Sequence, residues 1–451
     1  MTRFTSAALN WLELILFERF GHRFILSQDE SSLTLNLGSQ QTGFIRFPAL
    51  FNGFHLPKSE MPCAYWDAAG EGWIAPLYKP LPAPGCEALP ELLITRNIGH
   101  YCVFYDILGL AYWMLSRLEE IGRKDLDSHG RFPAASSHAH KHGYLDRPVV
   151  DEWLNILGQV ILRQWPDLEL KSHVFMQKVS HDVDVPSMYG FKKLNAIIRV
   201  MAGHILKRHD FREFCNAGKI WLSTNQHIPR ADPMNTFDWI MDTSERRGLV
   251  SAFYFICGRT NQQLDAEYDI EHPAIRHLLR RIYDRGHEIG LHPSYNTYDR
   301  PSLIRGEFER LIRACEGIGV KQKHWGGRMH YLRWENPTTL QAWEDGGLSY
   351  DSTLGYADHA GFRCGTCFEY PAFNLEKQQI LMLRVRPLIV MEVSVLDPIY
   401  MGIEQEEMAF EMFRQLKDTC RVMKGSFTLL WHNSSLKDVK SRDMYIRVLD
   451  A

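Results

Sequence analysis

The sequence has no long apolar run, no block of like charge and few cysteines. No stretch approaches the roughly eighteen consecutive apolar residues of a transmembrane helix. The apolar stretch over residues 7–17 carries Glu13 and lacks a small-residue cleavage site, so we expect an amphipathic helix there rather than a signal peptide. Lys and Arg total 51 against 54 acids, an even balance that argues against a nucleic-acid-binding surface or a basic membrane-binding face. Nine scattered cysteines predict reduced thiols and a cytoplasmic protein.

The length and texture of the chain predict two domains. A chain of 451 residues exceeds the usual size of one domain. Residues 45–95 are rich in Pro, Gly and aromatics, which favours short strands and turns, and helical spacing follows over residues 101–120 and 148–165. From residue 174 onward strand and helix patterns alternate, as in α/β folds. We therefore expect a mixed α+β accessory domain over residues 1–170 and an α/β domain over residues 171–451.

The predicted strands of the second domain are numerous enough for an irregular (β/α) barrel. Each is a short apolar run rich in β-branched or aromatic residues. They are expected at residues 174–180, 250–257, 288–292, 324–328, 350–353, 389–396 and 427–432, with helices between them, one of which is expected over residues 302–317. In such barrels the active-site groups project from the carboxyl ends of the strands. The polar residues at those ends are therefore the candidates for chemistry.

Carboxylates, imidazoles and an arginine stand at several of these strand ends. Burying such groups is costly unless they bind a metal, pair with one another or transfer protons. The candidates are Asp182 and Asp184 after the first strand, His292 and Asn296 after the third, Arg328 and His330 after the fourth, and His432 after the last.

The ordered set resembles the five motifs of the polysaccharide deacetylase (NodB-homology, carbohydrate esterase type 4) family, over about residues 174–435. The Asp-x-Asp spacing resembles variant members of that family, which implies Asp182 as the general base and Asp184 as a metal ligand. The segment Gly-His-Glu-Ile-Gly-Leu-His that ends at His292 resembles the lead into the second motif, which implies a second ligand there.

The remaining motifs also have counterparts in this chain. The resemblance implies that Arg328 positions the base, that Asp351 belongs to the fourth motif and that His432 is the catalytic acid. The segment Asp-Ser-His-Gly-Arg-Phe over residues 127–132 resembles part of an accessory domain that precedes some family members. Nothing in the sequence assigns a chemistry to that domain.

The chain departs from the family pattern at two positions. Asn296 stands where the family has a second metal-binding histidine, and an amide is a weak ligand for zinc. His330 stands where the family has a proline, and it could supply the missing imidazole. Three outcomes remain open at this point: His330 as the third ligand, Asn296 as the third ligand, or loss of tight metal binding.

Amide hydrolysis needs an activated water and stabilisation of an oxyanion, and a divalent metal on Asp184 and His292 can supply both. The sequence thus predicts a hydrolase that uses a divalent metal, zinc first, with cobalt, manganese or iron as alternatives. The resemblance implies an N-acylated amino sugar, in the first place an N-acetylated one, as substrate during surface polysaccharide assembly. The even charge balance predicts no nucleic-acid partner. Two alternatives remain, a hydrolase of a small non-sugar amide and a carbohydrate-binding module without metal.

Overall fold

The computed structural model describes residues 4–38 and 42–451, so residues 1–3 and 39–41 of the predicted first domain lie outside the described residues. The N-terminal part mixes short strands with helices, as its texture predicts. In chain order its elements are α1 (Ser6–Phe20), β1 (Phe24–Gln28), β2 (Leu33–Leu37), β3 (Phe44–Phe47), β4 (Cys63–Trp66), β5 (Leu81–Pro84), β6 (Ile94–Asn97), β7 (His100–Val103), α2 (Ile107–Leu115), α3 (His138–Lys141) and α4 (Val149–Gln164).

The first sheet of the N-terminal part has the strand order β1-β2-β3-β7-β6, and β4 pairs separately with β5. Helix α1 begins where the Thr5 side chain accepts a hydrogen bond from the backbone N–H of Ala8, and it ends at Gly21. Gly21 adopts a φ of +79°, which favours glycine because a Cβ is strained there. The apolar stretch over residues 7–17 is therefore helical, as predicted.

The C-terminal part alternates strands and helices around one large sheet. Its elements are β8 (Met176–Val183), α5 (Leu194–Leu206), α6 (Phe211–Ser223), α7 (Phe237–Glu245), β9 (Ser251–Ile256), α8 (Pro273–Asp284), β10 (Glu288–His292), α9 (Pro301–Glu316), β11 (Gly326–Gly327), α10 (Thr338–Gly346), β12 (Tyr350–Asp351), β13 (Tyr370–Asn374), β14 (Gln379–Val385), β15 (Val390–Met391), α11 (Glu392–Leu396), α12 (Glu406–Val422), β16 (Ser426–Leu430) and α13 (Val439–Asp450).

The strands of this sheet follow the order β13-β14-β12-β11-β10-β9-β8-β16-β15, and all neighbours are parallel except β13 and β14. The sheet is curled, which is consistent with the predicted irregular barrel. Two glycines make room inside it. The ring of Tyr254 lies against Gly290, where a Cβ would come within 2.4 Å of the ring, and the ring of Tyr350 lies against Gly326, where a Cβ would come within 2.2 Å. The two tyrosine hydroxyls are 3.0 Å apart.

The N-terminal part packs directly on the sheet. Trp11 of α1 donates a hydrogen bond to the carbonyl of Pro371 at 2.8 Å and stacks on Phe373 of β13. A buried ion-pair network also joins the two parts, because Glu120 binds Arg117 at 2.8 Å and Arg363 at 2.6 Å. Apolar residues of both parts form one continuous buried cluster. Among the described residues, no helix combines the length and the apolar character needed to cross a bilayer.

Candidate functional site

Four strands of the curled sheet carry the predicted site residues at one edge. Asp182 lies near the end of β8 and Asp184 just beyond it. His292 is the last residue of β10, and Arg328 directly follows β11. His432 comes two residues after β16. Because the carboxyl ends of parallel strands meet at one edge, side chains that are far apart in sequence become neighbours there.

Asp184, His292 and His330 converge on one point. Oδ1 of Asp184 lies 3.4 Å from Nε2 of His292 and 3.7 Å from Nε2 of His330. Within the described residues these three form a group of side chains that could hold a metal ion, with their ligand atoms within 4.8 Å of one another. A tetrahedral zinc with bonds of about 2.0–2.1 Å would separate its ligand atoms by roughly 3.4 Å. The donor types and spacings therefore fit such an ion.

The electrostatics of Asp184 also fit a cation. Both contacts of its Oδ1 atom exceed ordinary hydrogen-bond length, and the atom is buried with no hydrogen-bond partner among the described residues. Burial opposes the charge on this carboxylate, but His330 and His292 outweigh it and hold its pKa well below the usual range. Asp184 is thus an ionised carboxylate with a free lone pair that could bind a cation.

Hydrogen bonds on the far side of each ring aim the two imidazoles. His292 directs Nδ1 to the carbonyl of Arg328 at 2.6 Å, and His330 directs Nδ1 to Oδ1 of Asp265 at 2.9 Å. A proton on each Nδ1 leaves each Nε2 atom unprotonated and able to bind a metal ion. Asp265 is itself held by the backbone N–H groups of Asn261 and Tyr295, both at 2.7 Å.

Asp182 lies beside this group but is fixed by a different partner. Its Oδ1 atom accepts a hydrogen bond from Arg328 at 2.8 Å, whereas Oδ2 lies 3.7 Å from Nε2 of His292. Arg328 is fully buried and also donates to the hydroxyls of Ser180 and Ser352. The arginine therefore orients one oxygen of Asp182 and leaves the other facing the site.

His432 lies beside the other carboxylate oxygen of Asp184. Its Nε2 atom lies 3.7 Å from Oδ2 of Asp184, and its Nδ1 atom lies 2.8 Å from Oε1 of the buried Glu392. Burial opposes the charge on His432, but Glu392 and then Asp184 outweigh it and raise its pKa to about 10. These contacts favour the protonated imidazole, which can give up a proton from Nε2.

Asn296 has both ends of its side-chain amide in other contacts. The amide oxygen accepts a hydrogen bond from Arg333 at 3.2 Å, and the amide nitrogen donates to the carbonyl of Thr260 at 3.2 Å. The backbone N–H of Asn296 also donates to the Thr260 hydroxyl at 2.8 Å. The geometry therefore offers His330, rather than Asn296, beside Asp184 and His292.

A loop of the N-terminal part, residues 127–132, lies at the mouth of the site. His129 contacts the Tyr295 hydroxyl through Nδ1 at 3.0 Å, and its ring centroid is 4.7 Å from that of Tyr331. The Tyr331 ring in turn lies 4.8 Å from the ring of His330. Arg131 donates to the carbonyl of Tyr331 at 3.0 Å. Residues 127–132, to which the sequence assigns no chemistry, thus form part of the wall next to the site.

Other strand-end residues are held in structural contacts. Asp351 accepts hydrogen bonds from the backbone N–H and the hydroxyl of Thr353, and burial raises its pKa to about 6. His181 contacts the carbonyl of Trp431 through Nδ1 at 2.7 Å, and burial lowers its pKa to about 3. His287 accepts a hydrogen bond from the backbone N–H of Ser251, between β9 and β10.

Sequence reasoning missed two residues of the site. Glu392, the partner of His432, falls inside the predicted strand over residues 389–396, but β15 ends at Met391 and Glu392 begins α11. A shorter strand would have put this carboxylate at a strand end. Asp265, the partner of His330, lies in the loop after β9, and no motif points to it.

A family model described as a family of unknown function, DUF7033, matches residues 4–166. No curated protein matches the chain.

The similar solved structures share little sequence with this chain. A structure described as a putative polysaccharide deacetylase from Mycobacterium smegmatis is 16% identical, with a TM-score of 0.39. The match covers 63% of this chain and 85% of that chain. A structure described as a probable polysaccharide deacetylase from Pseudomonas aeruginosa PAO1 is 14% identical, with a TM-score of 0.35. The match covers 62% of this chain and 84% of that chain. The structure of PuuE allantoinase is 12% identical, with a TM-score of 0.38. The match covers 72% of this chain and 90% of that chain.

Proposed function

We propose that the C-terminal part is a metal-dependent hydrolase that removes an N-acyl group, in the first place acetyl, from an amino sugar in a polysaccharide, glycolipid or nucleotide-sugar precursor. One observation carries the proposal. Three metal-ligand side chains, Asp184, His292 and His330, converge, while a second carboxylate, Asp182, lies beside them on an arginine. Separate ligand and base carboxylates are what metal-assisted amide hydrolysis requires.

In this proposal Asp184, His292 and His330 hold a divalent metal, with zinc first. The choice rests on the donor set, since two imidazoles and a carboxylate suit zinc and also cobalt, manganese and iron. When bound, the metal would polarise the amide carbonyl and lower the pKa of a water molecule. His330 takes the third ligand place because Asp265 aims its Nε2 atom at Asp184.

The chain's own residues then move the protons. Asp182 takes a proton from the attacking water through its Oδ2 atom, since Arg328 holds Oδ1 and leaves Oδ2 facing the site. His432 delivers a proton from Nε2 to the leaving amine, and Glu392 fixes the opposite ring nitrogen. The three residues thereby have separate roles, since Asp182 is the base, Arg328 positions it and His432 is the acid.

The sugar assignment comes from the motif resemblance and is supported by the wall of the site. The partly exposed rings of Tyr295, Tyr331 and His129 stand beside the ligand group. Aromatic faces with polar edges suit the stacking and hydrogen bonding of a sugar ring.

Acetate release from N-acetylated amino sugars tests the proposal. Full-length protein loaded with zinc or cobalt would be incubated with N-acetylglucosamine oligomers and nucleotide-linked N-acetyl amino sugars. We expect turnover that Asp182→Asn abolishes, with metal content and sugar binding retained. Sugar binding with no turnover at any metal would favour the binding module, whereas turnover only with small linear or cyclic amides would replace the sugar as the substrate.

A further inference from the structure

The connection between β8 and α7 carries a helical hairpin with an unusual surface. We call residues 189–223, which include α5 and α6, the basic hairpin. It contains seven Lys and Arg residues against two acids, a net charge of +5, in a chain whose net charge is −3. The rest of the chain therefore carries −8, and the even balance of the whole sequence conceals this local excess.

The basic hairpin has its own small core. Ile197 of α5 packs with Ala217 and Ile220 of α6 and with Tyr189, in a cluster separate from the main core. The Tyr189 hydroxyl donates a hydrogen bond to Glu213 at 2.7 Å. These inward contacts hold the two helices together without using their outer apolar residues.

Large apolar side chains point outward from both helices. Those on α5 are Leu194, Ile198 and Leu206, which are 60%, 57% and 75% exposed. On α6, Phe211 and Leu222 are each 67% exposed. Phe211, the exposed Cys215 and Leu222 stand at positions i, i+4 and i+11 and therefore share one face of the helix.

Basic residues flank these apolar faces. Arg199 follows Ile198, Arg212 follows Phe211, and Lys219 lies one turn before Leu222, all three exposed. Leu, Ile and Phe on one side of a helix, with Lys and Arg beside them, are typical of helices that lie in the interface of an anionic bilayer.

The basic hairpin is rooted next to the candidate site. The connection that carries it leaves the sheet at the carboxyl end of β8, and its first residue is Asp184. Asn433, the neighbour of His432, fixes both ends of the connection: its side chain donates to the carbonyl of Val185 at 3.0 Å, and its carbonyl accepts from the Thr236 hydroxyl at 2.9 Å. The two ends of the connection that carries the hairpin are therefore anchored beside the candidate site.

We propose that the basic hairpin docks this protein on the surface of an anionic lipid bilayer. Phe211, Leu222, Ile198 and Leu206 enter the boundary between headgroups and acyl chains, and the flanking Lys and Arg residues contact anionic headgroups. Charge complementarity selects this partner, because the apolar faces lie within the strongly cationic segment defined above. The docking goes beyond the proposed reaction and does not depend on it.

Vesicle co-sedimentation of the full-length protein tests the docking. The probes are vesicles of phosphatidylcholine and phosphatidylglycerol at about 7:3, and vesicles of phosphatidylcholine alone. We expect partitioning onto the anionic vesicles that weakens with added salt and is much lower on the neutral ones. Replacing Arg212 and Lys219 together by Ala should lower the partition coefficient about 25-fold, since each charge near such a surface contributes about fivefold. Phe211→Ser should lower it at least about tenfold.

The controls are exposed side chains elsewhere. Met408→Ser on α12 and Lys440→Ala on α13, which are exposed in the structure, should leave partitioning unchanged. Thermal unfolding of each variant checks that it remains folded. Absence of wild-type binding to the anionic vesicles, or equal losses in hairpin and control variants, would overturn the proposal. So would a dimer in analytical ultracentrifugation that Phe211→Ser dissociates, because a second copy would then cover the apolar faces.

Discussion

Replacing His330 by alanine should weaken zinc binding strongly, whereas replacing Asn296 by alanine should leave it nearly unchanged. The two residues are the alternatives that the sequence offers for the third ligand position. In the structure, Nε2 of His330 is 3.7 Å from Oδ1 of Asp184, and the Asn296 amide is engaged by Arg333 and Thr260.

The expected loss can be estimated from the ligand count. Zinc in four-ligand protein sites is bound with about 10–16 kcal/mol, so one ligand contributes on the order of 3 kcal/mol. His330→Ala should therefore raise the zinc dissociation constant roughly 150-fold. Asn296→Ala should change it by less than about threefold, since a change under about 0.7 kcal/mol is expected where no ligand is lost.

Competition titration with a chromophoric zinc chelator measures both constants near neutral pH. Thermal unfolding of the metal-free variants controls for damage to the fold, because His330 is buried. Equal weakening in the two variants, or weakening in Asn296→Ala alone, would refute the assignment of His330 as the third ligand.

Three further predictions concern the residues around the ligands. Asp265→Asn should weaken zinc binding about 10- to 100-fold in the same titration, since the substitution weakens the hydrogen bond that orients the His330 ring. His432→Asn should lower kcat about 100- to 10,000-fold in the acetate assay with zinc content unchanged. Burial raises the pKa of Glu307 to about 7 against an ordinary 4.5, so the folded state binds the extra proton and loses stability as pH rises between those values. In urea unfolding of the wild type, the free energy of unfolding should fall by about 3 kcal/mol between about pH 4 and 8 because of this group, and the fall should be absent in Glu307→Gln. An equal fall in both proteins would contradict the prediction.

The alternation of strand and helix and the polar residues at the strand ends can be predicted without the structure. Strand periodicity is local, so β10 has its predicted bounds, and α9 begins one residue before the predicted start at residue 302. Once parallel strands are assumed, Asp182, Asp184, His292 and His432 must lie at one edge. The pair β13 and β14 is not among the predicted strands, and it extends the sheet beyond β12.

Which side chains face one another at that edge is set by the folded chain alone. Tyr331 and Leu332, which directly follow His330, adopt φ values of +61° and +56°, and no sequence period encodes this turn. Asp265 and Glu392 reach their histidines across 65 and 40 residues, and Arg333 captures Asn296 from a different strand connection. Such contacts depend on the path of the folded chain, which the local spacing of residues in the sequence does not predict.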